Sequence, residues 1–234
     1  MTGKSASIDL HISTQHDAER LNSRLVEAAQ YSLIRRLVPA MRHEIAGAFQ
    51  PVRMLTKVLE KRLQAAEPDI GVLMKNTRTI DQLSRDASAV CSQLMAWLAP
   101  RDEDQLSVSD GVDELIKLLG TGLALRGFTI DIAAAPVHAK LAAGAFRQIF
   151  CLCLLALTDL AAAPAHVFIS FLEHENDMVV KIRLDTTEGV EEYPVETAYR
   201  LIEWDDVQVV ADVEAVDVKH LSNGVDLTFQ RLKA

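Results

Sequence analysis

Apolar residues recur in two long stretches, from Ile34 to Leu59 and from Leu73 to Trp97, at alternating intervals of three and four. Between Leu21 and Leu63 the seam Ile34, Val38, Met41, Ile45, Ala48, Val52, Leu55 and Leu59 runs without interruption, which is the heptad spacing that keeps one stripe of a helix facing a partner. A break at "QAAEPD" contains Pro68, and beyond it Leu73, Asn76, Ile80, Leu83, Ala87, Val90, Leu94 and Trp97 repeat the alternation up to Pro100. The pattern predicts two long helices over residues 21–100, folded back as an antiparallel hairpin. A hairpin with one continuous stripe on each helix buries both poorly alone, while two copies make a four-helix bundle, so a homodimer is expected. The alternative is that the chain's own C-terminal half covers the stripes. Asn76 at a seam position suits a dimer register as well as chance. Residues 1–20 are mostly polar and aperiodic, and are expected to be flexible.

After the charged linker "PRDEDQ" the texture changes. The segment "SVSDGVDELIKLLGTGLALRG" has a serine or aspartate cap, a helical period and a terminal glycine, Gly127, and reads as a capped helix. "FTIDIA" reads as a strand, "AAGAFRQIFCLCLLALTDLAAA" as a buried helix, and "HVFISFLEH" with "MVVKIRLD" as a hairpin across "ENDM". "VETAYRLIEWD" is predicted to be a helix, followed by "VQVVADVE" and "VDLTFQRL" as closing strands. Helices mixed with hairpins over residues 105–234 predict a two-layer α/β sandwich.

Composition narrows the function. A net charge of −9 and the lack of a densely basic face exclude a nucleic-acid backbone as the natural partner. The longest apolar run, Ile149 to Leu157, is shorter than the roughly 20 residues a membrane span needs, and no basic-then-apolar leader opens the chain. Cys91, Cys151 and Cys153 are odd in number and set among apolar residues, so they are expected to be reduced core thiols in a cytoplasmic protein.

The chemistry worth following lies in "RHEIAGAFQP", residues 42–51. With positions 41 and 45 pointing inward, residue 43 lies about 200° round the helix from either and faces solvent. An exposed imidazole offers a neutral, nucleophilic nitrogen near pH 7. Glu44 lies about 100° from it, close enough to share the same region; Arg42 could neutralise phosphoryl charge. Gly47, Gln50 and Met54 share the exposed side with His43 and are expected to contribute to a docking strip. Pro51 lies inside the helix and removes a hydrogen bond from the carbonyl of Gly47, predicting a local bend. The other six histidines show no metal-ligand spacing and take no role.

In this order the parts resemble the catalytic core of bacterial sensor histidine kinases, a dimerising phosphotransfer hairpin followed by an ATP-binding sandwich, over residues 30–234. "HEIAGAFQPV" is similar to the phosphoacceptor box, with His43, Glu44, Ile45 and Phe49 on its characteristic positions. "SVSDGVDELIKLLGTGLALRGFTIDI" is similar to the segment that follows the hairpin, and "FRQIFCLCLLALTDLA" to the nucleotide-box helix. Three departures stand out. Leu152 and Ala156 occupy the positions where the family carries asparagines that hold magnesium and phosphate. "DTTEG" keeps Asp185 and Gly189 of the adenine-reading box while Thr187 replaces its first glycine. No glycine lies between Gly189 and Gly224, where a glycine-rich lid belongs.

A retained nucleophile box beside an eroded nucleotide site resembles the histidine phosphotransferases of the ChpT type. That resemblance implies a phosphorelay carrier: His43 bears the phosphoryl group, Glu44 orients the imidazole or accepts its proton, and Asp185 and Gly189 are vestigial. Its partners would be response-regulator receiver domains, with Mg2+ supplied by the receiver and no firmly bound cofactor. Two rivals stand beside it, a dimeric pseudokinase scaffold without chemistry and an active kinase with an atypical nucleotide site.

Overall fold

In the computed structural model, which describes residues 3–101, 103–133, 139–161, 164–186 and 200–232 with side chains from His16 onward, the chain opens on helix α1, Gly3–Leu63. Residues 3–20 of the segment expected to be flexible are therefore helical. From Lys4 to Val38 no glycine or proline interrupts the chain, and its Ala, Glu, Arg and Leu residues favour a helix. Pro39 and Pro51 both lie inside α1, where each withholds one backbone donor. Helix α2, Ile70–Leu98, is capped by Asp69, whose carboxylate accepts from the Val72 amide at 3.1 Å.

Two compact units divide the chain: residues 37–101, and residues 1–36 together with 102–234. In the helical unit the α2 stripe follows the sequence pattern, with Leu73, Asn76, Ala87, Leu94 and Trp97 buried and Ile80, Leu83 and Val90 half-buried. On α1 Met41 is buried, and Ile45, Ala48, Val52, Leu55 and Leu59 are half-buried. Arg62 Nη1 donates to Asn76 Oδ1 at 3.3 Å, while Asn76 Nδ2 is buried without an acceptor among the described residues.

Upstream the predicted seam gives way. Val38 is 47% exposed, and the buried positions are Val26, Ala29, Leu33 and Leu37. The reason is a change of partner. Gln30 and Arg36 flank this stripe and bond to Gln148 and Asp159, so the first part of α1 packs on the C-terminal unit. For this segment the chain's own C-terminal half does cover the stripe.

The α/β unit contains β1 (Gln105–Ser107), α3 (Val108–Leu125), β2 (Phe128–Ile132), β3 (Lys140–Ala142), α4 (Ala143–Leu160), β4 (Ala165–Glu173), β5 (Asp177–Thr186), α5 (Trp204–Glu214), β6 (Asp217–Leu221) and β7 (Gly224–Gln230). Five strands form one sheet in the order β2-β4-β5-β7-β6, with β2 parallel to β4 and every other pair antiparallel. β1 and β3 form a separate antiparallel pair. Ser107 caps α3 by accepting from the Asp110 amide at 3.1 Å, and Gly127 takes the left-handed φ of 85° that turns the chain into β2. One face of the sheet presents Phe128, Val167, Ile169, Val180, Ile182, Val225, Leu227 and Phe229 to the helices, all buried.

Residues 207–214, predicted as a strand, are instead α5. Valines at alternate positions suggested a strand, but Val207, Val210 and Ala211 repeat at the helical spacing and form the buried face. Glu203 and Asp206 form a reciprocal capping box that starts the helix three residues earlier. The helix predicted over 195–205 lies partly outside the described residues; its tail from Arg200 to Glu203 is extended or irregular.

Helix α3 offers a paired stability prediction. A Cβ on Gly111 would stand 2.5 Å from Leu106 Cδ1 and 2.6 Å from Phe146 Cε1, whereas one on Gly122 would meet nothing within 4 Å. Gly111→Ala should destabilise by about 1–3 kcal/mol through overpacking. Gly122→Ala should be neutral or stabilising by up to about 1 kcal/mol, since alanine is the better helix former. Denaturant unfolding of the two variants should show the opposite signs.

Candidate functional site

His43 is exposed on α1, in the helical unit. Met41 and Ile45 turn toward the covered stripe, and residue 43 falls on the opposite side as the helical period requires. Gly47, Gln50 and Met54 follow at spacings of four, three and four, and all are exposed. The space around Gly47 is open: an added Cβ would meet nothing within 4 Å. The structure thus gathers the predicted strip on one accessible line, with Arg42 exposed beside it and Glu44 half-buried on the other flank. Such a line can present an imidazole to a large partner without moving the helix.

The residues of the nucleotide-like region have a different setting. Arg147 is buried and its guanidinium meets Glu114 of α3 at 2.9 and 3.2 Å. Gln148 Oε1 accepts from Gln30 Nε2 at 2.8 Å. Leu152 and Ala156 are 0% exposed, packed in a helix that is buried almost throughout. The 18 residues of α4 are apolar enough to suit a membrane span, yet here they are enclosed by protein. Cys151 and Cys153 are free and buried, and burial pushes both thiols up, while Cys91 is half-buried and free.

Asp185 is exposed near the end of β5, opposite His166 in the ladder, and so is a strand residue. Gly189 and Thr187 lie outside the described residues. Among the described residues, no cluster of three or more His, Cys, Asp or Glu is arranged to hold a metal ion.

Asp159 carries no local signature that marks it. Its carboxylate is fully buried and takes both Arg36 Nη1 and Nη2 at 2.8 Å, Arg126 Nη2 at 3.0 Å and the Ile202 amide at 3.0 Å. Burial lowers the Arg126 pKa, Asp159 opposes that shift, and Arg36 adds to it. The Arg126 Nε stays buried without an acceptor among the described residues, while the guanidinium also lies over the Phe128 ring. These partners come from α1, the end of α3, the end of α4 and the approach to α5, and no local signal links residues 123 positions apart.

No protein-family model and no curated protein matches the sequence. Solved structures do match. The chain is similar to the catalytic domain of the histidine kinase ThkA, at 9% identity and a TM-score of 0.40 over 56% of this chain and 96% of that one. A histidine kinase from Burkholderia phymatum matches at 13% identity and a TM-score of 0.40, covering 86% of this chain and 98% of its own. ThkA in complex with the response regulator TrrA matches at 13% identity and a TM-score of 0.40, over 94% of this chain and 66% of that chain.

Proposed function

We propose that the chain is a histidine phosphotransfer protein, carrying a phosphoryl group on His43 between the receiver aspartates of response regulators. The observation that carries this reading is a contrast: His43 is exposed on the strip it shares with Gly47, Gln50 and Met54, whereas Leu152 and Ala156 are sealed in the core. A chain so built can receive a phosphoryl group and has no asparagine with which to hold a nucleotide's metal at those positions.

In the proposed step a neutral imidazole nitrogen of His43 attacks the phosphorus of a receiver acyl phosphate. The N–P bond forms, the P–O bond to the aspartate breaks, and the electron pair leaves on the receiver carboxylate. Glu44 holds or accepts the proton on the other ring nitrogen. Catalysis rests on positioning and charge neutralisation, with Mg2+ belonging to the receiver and no cofactor held firmly by this chain. Asp185 and Gly189 are vestigial in this reading, and the setting is cytoplasmic.

Dimerisation through the helical unit belongs to the same proposal. Ile45, Ala48, Val52, Leu55, Leu59, Ile80, Leu83 and Val90 are only half-buried in the single chain. Asn76 Nδ2 is buried with no acceptor among the described residues, a donor that a second copy would satisfy in a four-helix bundle of two antiparallel hairpins.

The test is incubation with purified receiver domains already phosphorylated on aspartate. Wild-type protein should take up acid-labile label, and His43→Ala should take up none. Label acquired from γ-labelled ATP with no partner present would instead establish an active kinase. Unchanged partner binding and an unchanged cellular phenotype in His43→Ala would establish the scaffold.

A further inference from the structure

Charge is divided unevenly along this chain. Residues 37–101 hold nine Lys and Arg against six Asp and Glu, while the remaining residues hold fifteen against twenty-seven. The net charge of −9 therefore conceals a helical unit of +3 beside an acidic remainder. On α1 the excess gathers next to His43. Arg42, Phe49, Arg53 and Lys57 follow at spacings of seven, four and four, which places them on one flank, about 40–120° round from the histidine. All four are exposed, and none of the three cations is engaged in an ion pair among the described residues. Between residues 35 and 58 the acidic side chain is Glu44, and it lies on the other flank. Phe49 at 39% exposure and Met54 at 62% set apolar surface among the charges.

We propose that this flank is an electrostatic docking face for an acidic protein surface bearing an apolar contact, which on the carrier reading is the rim of a receiver's carboxylate pocket. Arg42, Arg53 and Lys57 meet the partner's carboxylates, and Phe49 and Met54 fill the apolar contact between them. An acidic partner is repelled by the chain's net negative charge and attracted by this flank, which raises the rate of encounters near His43. Three cations against so acidic a remainder are too few for a nucleic acid, whose binding draws on a dense array of phosphate contacts.

The test compares wild type with the double variant Arg53→Glu, Lys57→Glu, which leaves Arg42 beside the nucleophile untouched, by stopped-flow binding to receiver domains across a range of salt, with far-ultraviolet circular dichroism to show that the helices are intact. At low salt the variant should associate about tenfold or more slowly, and the salt dependence of the rate should flatten or reverse. His43 should still label with phosphoramidate, a small donor that needs no docking face. Equal rates and equal salt dependence would overturn the proposal. So would a wild type that binds RNA or anionic vesicles through these cations while its receiver binding ignores them. Binding is read separately from transfer. A chain that binds receivers through this flank yet takes no label on His43 would support the docking face and overturn the carrier reading.

Discussion

Asp159→Ala should destabilise the α/β unit by about 3–5 kcal/mol, the usual cost of removing one partner from a buried ion pair and leaving the other charge stranded. The carboxylate is 0% exposed, and the Arg36 and Arg126 side chains that share it are 9% and 17% exposed. Truncation strands two guanidiniums and the Ile202 amide at once. Asp159→Asn should cost less than truncation, since it retains one acceptor oxygen, although it loses the charge and sets an NH2 donor against donors that the second oxygen had accepted. Arg36→Met should cost least, because Arg126 still neutralises the aspartate and a methionine fills much of the same volume. Denaturant melts would give the order. Hydrogen exchange would show its location, with amides of residues 26–36 losing protection in Asp159→Ala as the first part of α1 comes loose from α4. A cost for Asp159→Ala below about 1 kcal/mol, or unchanged exchange in that segment, would mean that the aspartate does not hold the helix there.

The legible parts of this chain were those whose physics is local. Leu73 to Trp97 keep the three-four alternation and are the covered residues of α2. Ser107 and Gly127 bracket α3 as cap residues should, and the hairpin of β4 and β5 falls at "ENDM". His43 could be placed on an accessible side because only the period of 3.6 was needed. Failures arose where tertiary contacts decide. The stripe of α1 moves from Ile34 and Val38 to Leu33 and Leu37 because the N-terminal part of the helix packs on the α/β unit, and nothing within those residues announces the change of partner. Val207 to Glu214 became a helix because the capping box at Glu203 and Asp206 and a buried face at three-four spacing outweigh the strand preference of valine. Asp159 stayed invisible because its meaning depends on two arginines brought from distant elements.

Leu152→Asn should cost about 3–5 kcal/mol and should not create a kinase. At 0% exposure the leucine is enclosed by protein in the middle of α4. Losing its aliphatic burial accounts for roughly 2 kcal/mol. An amide in its place would need partners that an apolar site cannot offer, which adds about 1–3 kcal/mol. Leu152→Met is the matched control, expected to cost less than about 1.5 kcal/mol because it roughly conserves volume and apolarity. The two variants, compared by denaturant unfolding, separate the cost of polarity from that of altered shape. Assayed with γ-labelled ATP and no partner, Leu152→Asn with Ala156→Asn should remain unlabelled, since side chains turned into a packed core cannot reach a nucleotide. A double variant as stable as wild type that also acquires label on His43 would show that this face of α4 opens in solution, and that the chain is a kinase lacking only its metal ligands.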